Sequence, residues 1–164
     1  MSARITHPNL SSQDIEARAY QLMALNNILH SSTLLVLPTA MGKTPIELMA
    51  IADKMHQFPD KKVIFVAPTN PLLAQHYKEA KNFLNIPDES IIMINGGINW
   101  KKRQEMAKNA KLILATPQVI RNDVNRGSLS LENCCLLVID EAHHASGKHA
   151  MGQVADLYLK HSKD

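Results

Sequence analysis

Two apolar runs end in motifs that leave few architectures open. Leu34-Leu35-Val36-Leu37 leads into Pro38-Thr39-Ala40-Met41-Gly42-Lys43-Thr44, after which a helical pattern begins. Leu136-Leu137-Val138-Ile139 leads into Asp140-Glu141-Ala142-His143. A Gly-Lys-Thr turn between a strand and a helix can grip phosphate. The first backbone N–H groups of a helix have no partner within it, and the helix dipole favours anions. Acids at the end of a buried strand sit where open α/β sheets place their ligands. Either motif alone is common in unrelated chains; together, in this order and setting, they imply a nucleotide-hydrolysing site.

The rest of the chain supplies a frame for such a site. Five short apolar segments read as strands, over residues 33–37, 63–67, 91–94, 112–115 and 136–139. They are continuously apolar rather than alternating, the pattern of strands covered on both faces. Helical patterns lie between them. Residues 14–29 carry Ile15, Ala19, Leu22, Leu25 and Leu29 on one face, with Ser12 as N-cap. Further helices are expected over 44–55, with Pro45 in the first turn, over 71–84 after Asn70 as cap, and over 100–108, 118–124 and 152–159. Residues 57–62 and 87–90 read as surface loops. Strands alternating with helices predict βαβ units and a parallel sheet with helices on both faces.

Composition narrows the setting. A chain of 164 residues is one domain by length and can bury a sizeable core. Aromatics make up only 4%, so that core must be Leu, Ile, Val, Ala and Met. The longest apolar run is six residues, from Cys134 to Ile139, too short to span a membrane. The first residues hold no apolar stretch of the signal-peptide kind, so the expected location is cytoplasmic. Cys134 and Cys135 are adjacent on an expected strand and read as small buried residues. A net charge of +3 permits an anionic partner without demanding one.

The chemistry expected of the two motifs follows from residue type. Lys43 reaches the β- and γ-phosphates of a nucleotide and the Thr44 hydroxyl meets Mg²⁺. Asp140 holds the same ion through water, and Glu141 orients or deprotonates the attacking water. The plainer alternatives are an ordinary turn and two solvated acids at a strand end. The loop departs from the usual phosphate-loop pattern. Leu37 stands where that pattern has its first Gly, five residues before Gly42. His143, His144 and His149 have a spacing that matches no common zinc pattern.

Asp140-Glu141-Ala142-His143 after an apolar strand, with Pro38-Thr39-x-x-Gly42-Lys43-Thr44 upstream, resembles the superfamily 2 helicases of DEAH type. Further matches follow in that family's order. Arg18-Ala19-Tyr20-Gln21 is similar to its adenine-recognising element. Ala67-Pro68-Thr69-Asn70-Pro71-Leu72, with Gln75 and His76, resembles its motif Ia. Asn95-Gly96-Gly97 resembles its Thr-Gly-type element, and Ala115-Thr116-Pro117-Gln118 its motif Ib. His7-Pro8, Ile15-Glu16-x-Arg18-x-Tyr20-Gln21 and the run from Thr33 to Thr39 look like the archaeal Hef helicases and their FANCM-type relatives. The match covers nearly the whole chain. Ala40 stands where many of these proteins carry a Gly; its methyl group would narrow the phosphate loop, although Ala can also share the same backbone region.

The resemblance implies an α/β fold, a RecA-like (P-loop NTPase) three-layer sandwich with a mostly parallel sheet. It implies ATP and Mg²⁺ as cofactors, with Arg18, Gln21, Thr39, Ala40, Met41, Gly42, Lys43 and Thr44 binding the nucleotide. Lys43, Asp140 and Glu141 would be catalytic, Thr44 and Asp140 metal-binding, and His143 would couple the nucleotide site to movement. Pro68, Thr69, Asn70, Gly96, Gly97, Thr116 and Pro117 would contact the phosphate backbone of a nucleic acid. Hydroxyls and N–H donors bind phosphate without reading sequence, so binding would be sequence-independent and salt-sensitive. The plainer reading of Thr69 and Thr116 is turn chemistry beside a proline. The run Lys101-Lys102-Arg103 reads as a solvated helix face, or as added attraction for a strand.

In the family a motif III strand follows the acid motif and lies between it and the phosphate-loop strand. A second RecA-like domain carrying arginine fingers comes next. The chain runs from residue 1 to 164 and reaches neither, so it is expected to be the N-terminal part of the first domain, truncated before that strand. Either the two flanking strands pair directly, or a neighbouring molecule fills the gap by self-association. Arginine fingers contribute roughly 10³–10⁵ in rate, so the piece alone should turn over ATP poorly. The expected function is the ATP-binding part of a DNA helicase or translocase acting on forked or branched DNA in repair. Its partners would be DNA and the second RecA-like domain, with no membrane. Alternatives are an RNA-dependent ATPase of the same superfamily and a nucleotide-binding module without motor activity.

Overall fold

A computed structural model describes residues 4–5, 15–16, 33–38, 43–141 and 145–161. Its centre is a sheet of five strands: β3 (Thr33–Pro38), β4 (Lys62–Val66), β5 (Ile91–Met93), β6 (Leu112–Ala115) and β7 (Cys134–Glu141). Every pairing in it is parallel, and the spatial order is β3-β7-β4-β6-β5. Among the described residues, five helices surround it: α1 (Lys43–Gln57), α2 (Asn70–Phe83), α3 (Trp100–Lys108), α4 (Pro117–Arg126) and α5 (Ala145–His161). Two two-residue strands, β1 (Arg4–Ile5) and β2 (Ile15–Glu16), form a separate antiparallel pair.

The period-2 alternation of the strands divides the buried side chains into two cores, one on each face of the sheet. Val63, Phe65, Leu112, Leu114, Leu136 and Val138 pack with α1 residues such as Met49, Ile51 and Met55, and with Leu73 and Ala80 of α2. Ile64, Val66, Ile113, Ala115, Leu137 and Ile139 pack with Ala107 of α3, Val119 and Ile120 of α4, and Val154 and Tyr158 of α5. Helices therefore cover both faces, which is why successive residues in the strand interiors are apolar rather than alternating. The result is the three-layer arrangement expected from the sequence.

The adjacent cysteines mark a fault in this alternation. Lys62 pairs with Cys134, yet Val63 pairs with Leu136, so Cys135 is an extra residue in β7. Cys134 faces one core, and the bulge leaves the consecutive residues Cys135 and Leu136 both facing the other. Tyr158 of α5 donates its hydroxyl to the Cys134 carbonyl at 2.9 Å, which fixes α5 against the bulge.

β3 and β7 pair directly, from Thr33 with Leu136 to Pro38 with Glu141. This is the first of the two arrangements expected for the strands that flank motif III. The strand that leads into the candidate phosphate loop is thereby held in register with the strand that carries Asp140 and Glu141.

One expected element differs. Ile15 and Glu16, placed in a helix over 14–29 by their spacing, are extended and pair with Ile5 and Arg4. A ladder needs extended backbone, and β-branched isoleucine accepts it more readily than a helix. Ser12 and residues 17–29 lie outside the described residues. Within residues 87–90, read as loop, Asp88–Ser90 form a short 3₁₀ turn. The cap of α2 is Thr69 rather than Asn70: its hydroxyl accepts from the Leu72 N–H at 3.4 Å, and Asn70 is the first helical residue.

Candidate nucleotide site and nucleic-acid interface

In a parallel sheet all strands end on the same edge, and the loops that follow them meet there. Leu37 is opposite Asp140 and Pro38 opposite Glu141 at that edge. α1 begins at Lys43, five residues beyond Pro38, so Lys43 and Thr44 open the helix that follows β3. The ends of β4, β6 and β5 lie alongside, through Val66 with Ala115 and Met93 with Leu114. The turns at Thr69-Asn70, Gly96-Gly97 and Thr116 therefore share the edge with the end of β3 and with Asp140 and Glu141. Arg18, Gln21, Thr39, Ala40, Met41, Gly42 and His143 lie outside the described residues.

Asp140 continues the side of the strand that bears Leu136 and Val138, and it is 1% exposed. Its Oδ2 stands 3.0 Å from Nε2 of His76, a buried residue of α2. The His76 ring packs against Phe65, with centroids 4.6 Å apart. The acid is thus held by a helix whose own N-terminus is the Thr69 turn. The sequence carried no signal for this contact, because 64 residues separate the partners.

The seven residues expected to touch a nucleic acid divide by exposure. Pro68 and Pro117 are buried and shape their turns. Asn70, Gly96 and Gly97 are exposed, and Thr69 and Thr116 are half-buried. Both threonines precede a helix, as turn chemistry predicts, but only Thr69 has a side-chain capping bond; Thr116 makes none. The Gly97 N–H donates to Asn95 Oδ1 at 2.8 Å, so in this conformation it is engaged within its own turn.

The basic run on α3 is not uniform. Lys101 and Lys102 are exposed, as a solvated face requires, whereas Arg103 is 7% exposed and points inward. Its Nε and Nη2 donate to the two oxygens of Asp123 at 2.8 and 2.6 Å. These bonds raise the Arg103 guanidinium above its ordinary pKa. A charged triplet in sequence cannot show that its third member faces the core.

Comparison with known proteins gives this arrangement a family. Residues 18–163 match the DEAD/DEAH box helicase model. The chain belongs to that family. An archaeal relative in Methanocaldococcus jannaschii, whose name gives an ATP-dependent RNA helicase, is 44% identical over 92% of this chain and 19% of its own length. The Drosophila melanogaster DEAD-box ATP-dependent DNA helicase Fancm is 31% identical over 96% of this chain and 11% of its own length. The crystal structure of the Pyrococcus furiosus Hef helicase domain superposes with a TM-score of 0.76 at 33% identity. That superposition covers 90% of this chain and 30% of the Hef chain. The fold is accordingly that of a RecA-like first helicase domain close to the Hef and FANCM branch. The chain spans about a fifth or less of the length of these two curated relatives. No helix among the described residues is long and apolar enough to cross a membrane.

Proposed function

We propose that this chain is the ATP-binding part of the first motor domain of an ATP-dependent DNA helicase or translocase that works on forked or branched DNA. The observation that carries the reading is the register of β3 and β7, with Leu37 beside Asp140 and Pro38 beside Glu141. It sets the acids beside the end of the phosphate-loop strand, on the edge where the candidate strand-contacting turns also lie.

The roles follow from residue type and place. The N–H groups at the start of α1 and the Lys43 ammonium bind the phosphates. The hydroxyl of Thr44 and the carboxylate of Asp140 are hard oxygen donors of the kind Mg²⁺ takes; Thr44 opens the helix that follows β3, and Asp140 lies at the end of the neighbouring strand β7. Mg²⁺ held there would supply positive charge to offset what builds on the phosphates during transfer. Glu141 orients the attacking water and accepts its proton. Arg18 and Gln21 recognise the adenine. His76 orients Asp140, and His143 couples the site to movement. Thr69, Asn70, the Gly96-Gly97 turn and Thr116 grip the phosphate backbone of one strand. A second RecA-like domain would complete the site on closure.

A second reading, an RNA-dependent ATPase, draws support from the name of the archaeal relative. Phosphate contacts alone do not separate DNA from RNA; the 2′-hydroxyl does. Fluorescently labelled forked DNA, single-stranded DNA and single-stranded RNA of matching sequence, titrated at two salt concentrations, test both. The DNA reading expects the fork to bind tightest and affinity to fall steeply with salt. Tighter binding of RNA favours the second reading. Absence of binding to all three leaves a nucleotide-binding module.

A further inference from the structure

Arg103 joins two elements that sequence order keeps apart. Its Nη1 donates to the Asn95 carbonyl at 3.4 Å and to the Ile98 carbonyl, the residues that frame the Gly96-Gly97 turn. Its other two nitrogens grip Asp123, which lies on α4 and is 3% exposed. Asp123 is itself fixed. Its Oδ1 accepts from Arg126 at 2.9 Å, and its carbonyl accepts from the Ser128 and Leu129 N–H groups that close α4. The other end of α4 is the Thr116-Pro117 turn. One buried guanidinium therefore bonds both to the glycine turn and to the helix that begins at Thr116.

Besides the Arg103 bonds, the glycine turn is closed by the Gly97 N–H on Asn95 Oδ1 and the Ile98 N–H on the Asn95 carbonyl. A Cβ placed on Gly96 would meet nothing within 4 Å, and the nearest atom to one on Gly97 is Asn95 Oδ1 at 3.1 Å. With no side chains of its own to pack, the turn takes its position from its hydrogen bonds. Arginine suits this place because its planar fork presents five donors in fixed directions; lysine carries the charge without the fork.

We propose that Arg103 is a positioning residue for nucleic-acid binding, tying the Gly96-Gly97 turn and the Thr116 end of α4 into one body that presents both to a single strand. The proposal rests on the strand-contacting reading of those turns. It predicts that binding suffers when the tie is loosened even though Arg103 touches no nucleic acid, because an untied turn must be ordered at the moment of binding.

The test compares Arg103→Lys with the wild-type 164-residue chain by three measurements. These are amide hydrogen exchange over residues 96–99, affinity for a fluorescent single-stranded DNA, and affinity for a fluorescent ATP analogue. The tie predicts faster exchange at 96–99, DNA affinity about tenfold weaker, and ATP affinity within about twofold of wild type. If Arg103→Lys does not fold, Asp123→Asn, which keeps the shape and one acceptor, should give the same split. A variant that folds and binds DNA as the wild type does overturns the proposal. Equal losses of DNA and ATP affinity also overturn it, since they make Arg103 a general scaffold. A wild-type chain that binds no nucleic acid overturns the strand-contacting reading itself and the proposal with it.

Discussion

His76 Nε2 and Asp140 Oδ2 lie 3.0 Å apart, with both side chains buried. The contact joins the helix that starts at the Thr69 turn to the acid at the end of β7. Replacing His76 with Ala takes this partner from a buried carboxyl group. The expected loss is about 1–3 kcal/mol in urea denaturation, the usual penalty for a buried polar group that loses its hydrogen bond. His76→Gln, which retains a donor, should recover part of it. An Ala variant as stable as the wild type would show that the contact contributes nothing.

Asp123 and Asp88 make ion pairs of very different worth. Asp123 is buried between Arg103 and Arg126, so Asp123→Ala leaves the Arg103 guanidinium without its main partner and should cost about 3–5 kcal/mol. Asp88 faces Lys81 at 3.9 Å with its side chain 70% exposed, and Asp88→Ala should cost less than about 1 kcal/mol. Equal costs in chemical denaturation would refute the contrast.

The two turn threonines should separate stability from binding. Thr69→Val removes a capping oxygen from α2 and should lose about 0.5–1 kcal/mol, the low end of the capping range because the bond is 3.4 Å long. Thr116 has no such bond, so Thr116→Val should leave the melting temperature nearly unchanged. Both should weaken single-strand affinity. A large stability loss in Thr116→Val alone would reverse the assignment.

Burial pushes the thiol of Cys134 up to about 12 and that of Cys135 up to about 11. The thiolate is the reactive form, so at pH 8 both groups stay protonated in the folded chain as well as sheltered. A thiol reagent such as DTNB should label neither cysteine in native protein and both in denaturant. Rapid labelling of either one without denaturant would contradict the burial of the β7 bulge.

The sheet was legible because its strands obey a simple physical demand. Segments covered on both faces must be apolar throughout, and 112–115 was read to the residue while the other sheet strands shifted only at their ends. The span 100–108 is likewise legible to the residue, and the structure adds Asn99 as its cap. At the N-terminus the same periodicity misled at Ile15 and Glu16, since pairing with Ile5 and Arg4 is a non-local choice that spacing does not encode. The motif residues at the carboxyl edge were legible as types at known spacings. Arg103 and His76 were not legible in these roles, because each depends on a partner far away in sequence, Asp123 and Asp140 respectively.

The central claim is that the edge formed by β3 and β7 binds a magnesium nucleotide. The direct test titrates the chain with fluorescent ATP, with and without Mg²⁺, beside Lys43→Ala. The expected result is Mg²⁺-dependent binding by the wild type that the Lys43→Ala variant loses. Binding of equal strength in the variant, or none in either protein, would contradict it.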